Sequence, residues 1–190
     1  MRTFSEALGA YLTDQLSGLS EKPVVTYGIP GVAAGKNAVS LYLSTMTEDV
    51  ALRSYERNYE RVAGAWVSSP LPLRLKCGYV VTAWPDSQNP SEAALVRQDL
   101  LSAAYGVLVG MSTVPSAYLP APLKQEDLQK PVVALAEYKA IEDPQYWASF
   151  GCVFQPAFFL HATVSLPVAQ QSFDHVVDGL DITYKNGLVI

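Results

Sequence analysis

Residues 151–173 read GCVFQPAFFLHATVSLPVAQQSF, a run with no Lys, Arg, Asp or Glu. Its length invites comparison with a membrane span, but Pro156, His161, Pro167, Gln170 and Gln171 interrupt it. Its periodicity decides the matter. Phe154, Phe158, Leu160, Ala162, Val164 and Leu166 fall on one parity, and Gln155, His161, Thr163 and Ser165 on the other. Alternation with a period of two is the mark of a half-buried strand.

Working outward, the same alternation recurs upstream. Leu71, Leu73, Leu75, Cys77, Tyr79 and Val81 share one face opposite Arg74, Lys76 and Thr82, with Pro70 and Pro72 near its start predicting an edge or entry position. Val39, Leu41 and Leu43 alternate with Ser40 and Ser44, and shorter strands are expected at 24–29 and 132–138, with a last one around 180–184. Two segments have helical spacing instead. Phe4, Leu8, Tyr11, Leu12, Leu16 and Leu19 form a stripe behind a Thr3/Glu6 capping box, with Gly18 as the stop. Asn89-Pro90-Ser91-Glu92 opens a second helix with Ala94, Leu101, Ala104, Leu108 and Met111 on one stripe, ending near Gly110. A short helix is expected from Asp143-Pro144 through Trp147. Strands bracketed by helices, without βαβ alternation, predict an α+β domain with a mixed, largely antiparallel sheet flanked by helices.

The 190 residues suffice for one domain, and a chain of this size buries roughly 70% of its unfolded surface without needing a metal or disulfide. Residues 1–168 are expected to form that domain and 169–190 a C-terminal extension offering an interface strand. Cys77 and Cys152 are far apart in sequence and read as two buried thiols in a reducing compartment. The opening Met1-Arg2-Thr3-Phe4-Ser5, followed by Glu6 and Asp14, does not have the pattern of a signal peptide. A net charge of −5 argues against a nucleic-acid partner, which needs clustered Lys and Arg. Charged residues are 16% of the chain against about 25% in an ordinary soluble domain, as suits a surface covered by neighbours or a compact β-rich domain.

No catalytic constellation, metal ligand set or cofactor motif emerges. Gly31-Val32-Ala33-Ala34-Gly35-Lys36-Asn37 imitates a phosphate-binding loop, but it has one residue too few between its glycines. It also has Asn where Ser or Thr must bind magnesium, and a strand pattern where a helix must begin. Neither His161 nor His175 has a second ligand at local spacing. Cys152 with His161 is the one conceivable dyad, and the bland alternative is core and surface. The pairs Glu142-Asp143 and Glu126-Asp127 sit at expected helix starts, where they favour the helix dipole. From 53 to 61, Arg53, Tyr55, Arg57, Tyr59 and Arg61 alternate with Ser54, Glu56, Asn58 and Glu60. As an extended arm this is an Arg/Tyr interface face; the alternative is a solvated hairpin loop.

In their order these segments resemble the cap, or tail-terminator, proteins of extracellular contractile injection systems of the virulence-cassette and antifeeding-prophage class. The resemblance runs from about Val24 to Pro167. It rests on Val39-Ser40-Leu41-Tyr42-Leu43, on Pro70-Leu71-Pro72-Leu73-Arg74-Leu75 leading to Tyr79-Val80-Val81-Thr82-Ala83, on Tyr105-Gly106-Val107-Leu108 before Val114-Pro115, and on Asp143 to Trp147. Glu48-Asp49 and Leu52-Arg53-Ser54 depart from the family's pattern, which often has Asn and Arg-Asn there. The resemblance implies a non-enzymatic α+β subunit of tail-terminator fold, assembled in the cytoplasm into the injection particle. It implies a homohexameric ring on the baseplate-distal end of the inner tube, with the tube protein and the sheath protein as partners. The ring would end tube and sheath polymerisation and anchor the last sheath layer, with no cofactor and no transmembrane segment. A monomeric adaptor is the alternative, and a hydrolase built on Cys152 and His161 a third reading.

Overall fold

The computed structural model describes residues 1–19, 22–30, 36–50, 57–62, 65–124, 128–167 and 171–173, with 57–62, 65–70 and 171–173 described as backbone. In chain order the elements are α1 (Arg2–Gln15), β1 (Val24–Thr26), β2 (Ala38–Glu48), β3 (Arg57–Val62), β4 (Ala65–Pro70), β5 (Leu73–Trp84), α2 (Pro90–Val109), β6 (Val132–Ala136), α3 (Pro144–Ala148), β7 (Ala157–Leu166) and β8 (Gln171–Phe173). The strand expected at 180–184 lies outside the described residues. Two compact units divide the chain: Met1–Arg53 with Pro72–Pro167, and Ser54–Leu71 with Val168–Ile190.

The first unit is built on a five-stranded sheet in the order β1-β2-β5-β7-β6, antiparallel throughout except for the parallel β1–β2 pair. This is the mixed, largely antiparallel sheet that the alternation predicts. One parity of its strands meets the helices. Val39, Leu41, Cys77, Tyr79, Val81, Leu160, Ala162 and Val164 bury against Phe4, Leu8 and Leu12 of α1 and Leu100, Ala104 and Leu108 of α2. The Tyr79 hydroxyl lies 2.8 Å from Ser5 Oγ, which fixes α1 at this point of the sheet.

The opposite parity is not simply solvated. Val80, Phe159 and Trp147 form a second buried cluster, with Tyr42, Tyr138, Ile141 and Tyr146 packed around it. Trp147 is fully buried and donates its indole N–H to the Ile141 carbonyl at 2.7 Å, which pairs the one polar atom that burial would otherwise strand. Asp143 caps α3, its side chain accepting from Gln145 N at 2.8 Å, and Gly151 ends the following turn at φ +72°. The sheet is thus covered by helices on one face and by an aromatic layer over part of the other.

A register shift between Leu43 and Thr45 in β2 re-aims the strand, so that Thr45 lies opposite Gly78. A Cβ at Gly78 would run into the Phe159 ring and the Thr45 hydroxyl, so glycine here makes room for the second cluster.

Two expectations are corrected and one is decided between its alternatives. The Thr3/Glu6 capping box does not form; α1 starts at Arg2 with Met1 as N-cap and no side-chain cap, and Glu6 instead accepts from Arg2 Nε at 2.7 Å. Of the two positions that Pro70 and Pro72 predict for β5, edge or entry, the edge is excluded, because β5 is paired on both sides, by β2 and β7. The prolines mark the entry instead, Pro70 ending β4 and Pro72 preceding β5. Phe154 lies before β7 rather than on its inner face, and is 54% exposed. The second helix begins as expected, with Asn89 Oδ1 accepting from Ser91 N at 3.0 Å and Pro90 in its first turn.

In the second unit, β3, β4 and β8 form an antiparallel sheet in that order, with Trp66 opposite Phe173 and Arg61 opposite Trp66.

Candidate functional site

Arg53 and Tyr55 lie outside the described residues. Arg57, Tyr59 and Arg61 occupy alternate positions of β3, opposite Pro70, Ser68 and Trp66 of β4, and so share one face of that strand. β3 is an outer strand of the three-stranded sheet, paired only with β4 among the described residues.

Cys152 and His161 are not assembled for nucleophilic chemistry. The Cys152 thiol spends its hydrogen bond on the Trp147 carbonyl at 3.4 Å, and burial pushes its pKa up, away from the thiolate form a nucleophile needs. His161 is itself exposed on β7, opposite Gly78 and Ala134, with its ring edge-on to Phe159 at 5.0 Å. Cys77 is fully buried and pushed up to about 11 by desolvation. His175 and the Glu126-Asp127 pair lie outside the described residues, as do Gly31 to Gly35. Strand β2 begins immediately after Asn37, so no helix N-terminus stands behind that loop to receive a phosphate. No cluster of metal-ligating side chains occurs among the described residues, and no described helix is long and apolar enough to cross a membrane.

The first unit exposes several large apolar side chains. Tyr27 and Ile29 follow edge strand β1, Val153 and Phe154 precede β7, and Leu95, Tyr105 and Val109 project from α2. Phe154 leans edge-on against Trp147 at 6.2 Å, so the exposed ring is continuous with the aromatic layer beneath it. Tyr105 meets Phe158 edge-on at 5.4 Å and walls a shallow groove with Leu101 and Pro156. The outer face of α2 is charged in its first half, at Glu92 and Asp99, and uncharged in its second, where Tyr105 and Val109 are exposed. Periodicity alone presents α2 as an ordinary amphipathic helix and misses its outer face; the signal for that face is the uncharged run from Leu100 to Gly110.

Charged side chains gather at the far end of β2 and the start of β5, where Glu48, Asp49, Arg74 and Lys76 lie. An ion pair joins Lys76 Nζ to Asp49 Oδ1 at 3.0 Å, and Asp49 is almost wholly buried. Asp49 N also donates to the Arg74 carbonyl at 2.9 Å, so this departure from the family pattern is a structural feature of the β2 end.

The family model described as the Pvc16 N-terminal domain matches residues 3–177. Among solved structures, the chain is similar to the sheath/tube terminator of the extracellular contractile injection system PVC in its extended state. The TM-score is 0.68 at 19% identity, over 100% of this chain and 64% of that one. It is also similar to the tube-terminating cap of the anti-feeding prophage, with a TM-score of 0.67 at 18% identity, over 97% of this chain and 61% of that one. The chain therefore spans a little under two thirds of the length of either protein, and at these identities the likeness is one of fold. No curated protein shows a significant sequence match.

Proposed function

The chain belongs to the Pvc16 N-terminal domain family, and from that premise we propose that it is a structural cap of a contractile injection system rather than an enzyme. It sits as a homohexameric ring on the baseplate-distal end of the inner tube, ends tube and sheath polymerisation, and holds the last sheath layer. It is made in the cytoplasm and becomes part of the assembled particle. The observation that carries this reading is that the fold of the whole chain coincides with that of two proteins named for terminating tubes.

The physical character of the surface supports it. A ring subunit must present two different faces to identical neighbours and further faces to tube and sheath. Low charge and exposed aromatic and aliphatic side chains suit surfaces that become covered. Within this reading the Arg/Tyr face from Arg53 to Arg61 is an interface, supported by the alternation of Arg57, Tyr59 and Arg61 on an outer strand. The segment from 169 onward forms the extension that meets the sheath. Tube length tests the function. Added to polymerising tube protein of its own system, the chain shortens the mean tube as its proportion rises; a length distribution independent of the chain would rule out a terminator.

A further inference from the structure

One pairing register runs through both sheets. In the five-stranded sheet β7 is antiparallel to β5, with Ser165 opposite Arg74 and Leu166 opposite Leu73. In the three-stranded sheet β8 is antiparallel to β4, with Gln171 opposite Ser68 and Phe173 opposite Trp66. Each residue forward from Leu166 is matched by one back from Leu73, and the two counts arrive at Gln171 and Ser68 together. Two unrelated ladders have no reason to keep this count, since a slip of one residue turns every side chain to the other face.

The first step beyond Leu73 and Leu166 sets Pro72 opposite Pro167. In an antiparallel strand the N–H and C=O of one residue point to the same side, and successive residues alternate. The Arg74 carbonyl accepts from Asp49 N at 2.9 Å and the Gly78 carbonyl from Ser44 Oγ at 3.4 Å, so even-numbered residues of β5 turn toward β2. Val133 N donates to the Ser112 carbonyl at 2.9 Å, away from β7; Val132 and Ala134 therefore turn toward β7, and their partners Thr163 and His161 toward β6. By the same alternation Pro72 and Pro167 both face outward, Pro72 on the β2 side and Pro167 on the β6 side.

The flanking strands have ended at this level. The β2–β5 pairing stops at Glu48 and Leu75, the β6–β7 pairing at Val132 and Thr163, and β3 joins only from Pro70, opposite Arg57. Among the described residues, two strands alone reach Pro72 and Pro167, and each has a proline on the side where a third would add. Proline on an open edge prevents such addition. The division into compact units falls at the same place, after Leu71 and after Pro167. The third crossing, from Asp49 beside Arg74 to Arg57 opposite Pro70, spends eight residues where the neighbouring strand spends four, so its length does not tether the other two. A two-stranded ribbon twists more than a wide sheet and is marginally stable alone.

We propose that this two-stranded neck is a hinge on which the β3–β4–β8 sheet turns as one body, and that Pro72 and Pro167 keep it free by barring a third strand. The hinge follows from the chain's own geometry and does not depend on the cap reading; in a cap it lets one unit follow a moving partner while the other stays seated.

Two experiments on the full chain carrying Cys152→Ser, with Cys77 buried, test it. The first reads the register. A non-hydrogen-bonded antiparallel pair brings its Cα atoms to about 4.5 Å, within disulfide range. Pro72→Cys with Pro167→Cys is therefore expected to cross-link under mild oxidation, and Pro72→Cys with Leu166→Cys, on opposite faces, is not. No disulfide from the first pair, or one as readily from the second, would overturn the shared register and the neck with it.

The second reads the motion, by spin labels. Ala65 lies up to roughly 24 Å of strand beyond Pro72, at about 3.4 Å per residue. A turn of about 25°, the range of twist between neighbouring strands, carries it through about 10 Å. Distances from Leu95→Cys to Ala65→Cys are expected to spread about 10 Å more widely than those from Leu95→Cys to Met46→Cys, two exposed positions of the first unit. A spread no wider than this control would overturn the hinge. Tube-end binding of the same labelled chain is scored separately: bare ends with a wide spread sink the cap and keep the hinge, and capped ends with a narrow spread do the reverse.

Discussion

Replacing Gly78 by alanine reverses the effect that the same change has elsewhere. Glycine within a strand ordinarily costs about 0.5–1 kcal/mol relative to alanine, so Gly→Ala in β5 would stabilise the protein if only the backbone mattered. The structure sets a larger effect against it. The new Cβ falls well inside contact with the Phe159 ring and the Thr45 hydroxyl. Neither neighbour gives way easily. Phe159 is stacked on Tyr138 with ring centroids 4.3 Å apart, has His161 edge-on to it, and is 2% exposed. Thr45 is held by the register shift in β2. Overpacking costs about 1–3 kcal/mol, and so close an approach to two neighbours belongs at the upper end, about 2–3 kcal/mol, which leaves a net loss of about 1–2.5 kcal/mol and a melting temperature lower by about 2–10 °C. Urea denaturation of Gly78→Ala, Phe159→Leu and the double variant measures it. The smaller side chain at 159 relieves the clash, so the double variant is more stable than the sum of the single effects by about 1 kcal/mol or more. A Gly78→Ala protein as stable as the parent, or additive effects in the cycle, would refute the packing argument.

Trp147→Phe removes the donor to the Ile141 carbonyl as well as part of the ring, and costs about 1–3 kcal/mol in urea denaturation; Trp147→Ala costs about 3–5 kcal/mol. Equal stabilities for the two variants would mean that neither the hydrogen bond nor the remaining ring matters. Alkaline pH provides a third check, because burial raises Cys77 to about 11 and Tyr79 and Tyr146 to about 12. Groups whose folded pKa is raised hold their full stabilising contribution below the unfolded value and lose it as pH climbs toward the folded one. The urea midpoint is therefore flat from neutral pH to about 9 and falls between about 9 and 12. A midpoint unchanged across that window would contradict the burial of these groups.

Much of the fold is legible in the sequence because burial imposes a period. The parity of Leu73 to Val81 and of Phe158 to Leu166 places the central strands, and Asn89-Pro90 and Asp143-Pro144 place two helix starts. The second core is not legible. Val80 and Phe159 lie on the parity that looks polar, and only the aromatic layer around Trp147, distant in sequence from Val80, explains why they are buried. The central position of β5 is hidden for a related reason, since Pro70 and Pro72 flank the strand without occupying its ladder. Strand β4 escapes the pattern because residues 65–70, Ala-Trp-Val-Ser-Ser-Pro, are too few to display a period, and β8 because three residues within a charge-free run carry no boundary of their own. At the candidate site, the alternation from Arg53 to Arg61 is visible, while the outer face of α2 is not, since periodicity finds the buried stripe and says nothing about what covers the other side.

The central claim is that this chain closes tube ends, and electron microscopy of the purified chain mixed with the tube protein of its own system tests it most directly. The cap reading predicts added density at one end of the tubes, six-fold in end views, that saturates as the chain is titrated in. Bare ends at saturating protein, with the chain remaining a monomer in solution, would contradict it.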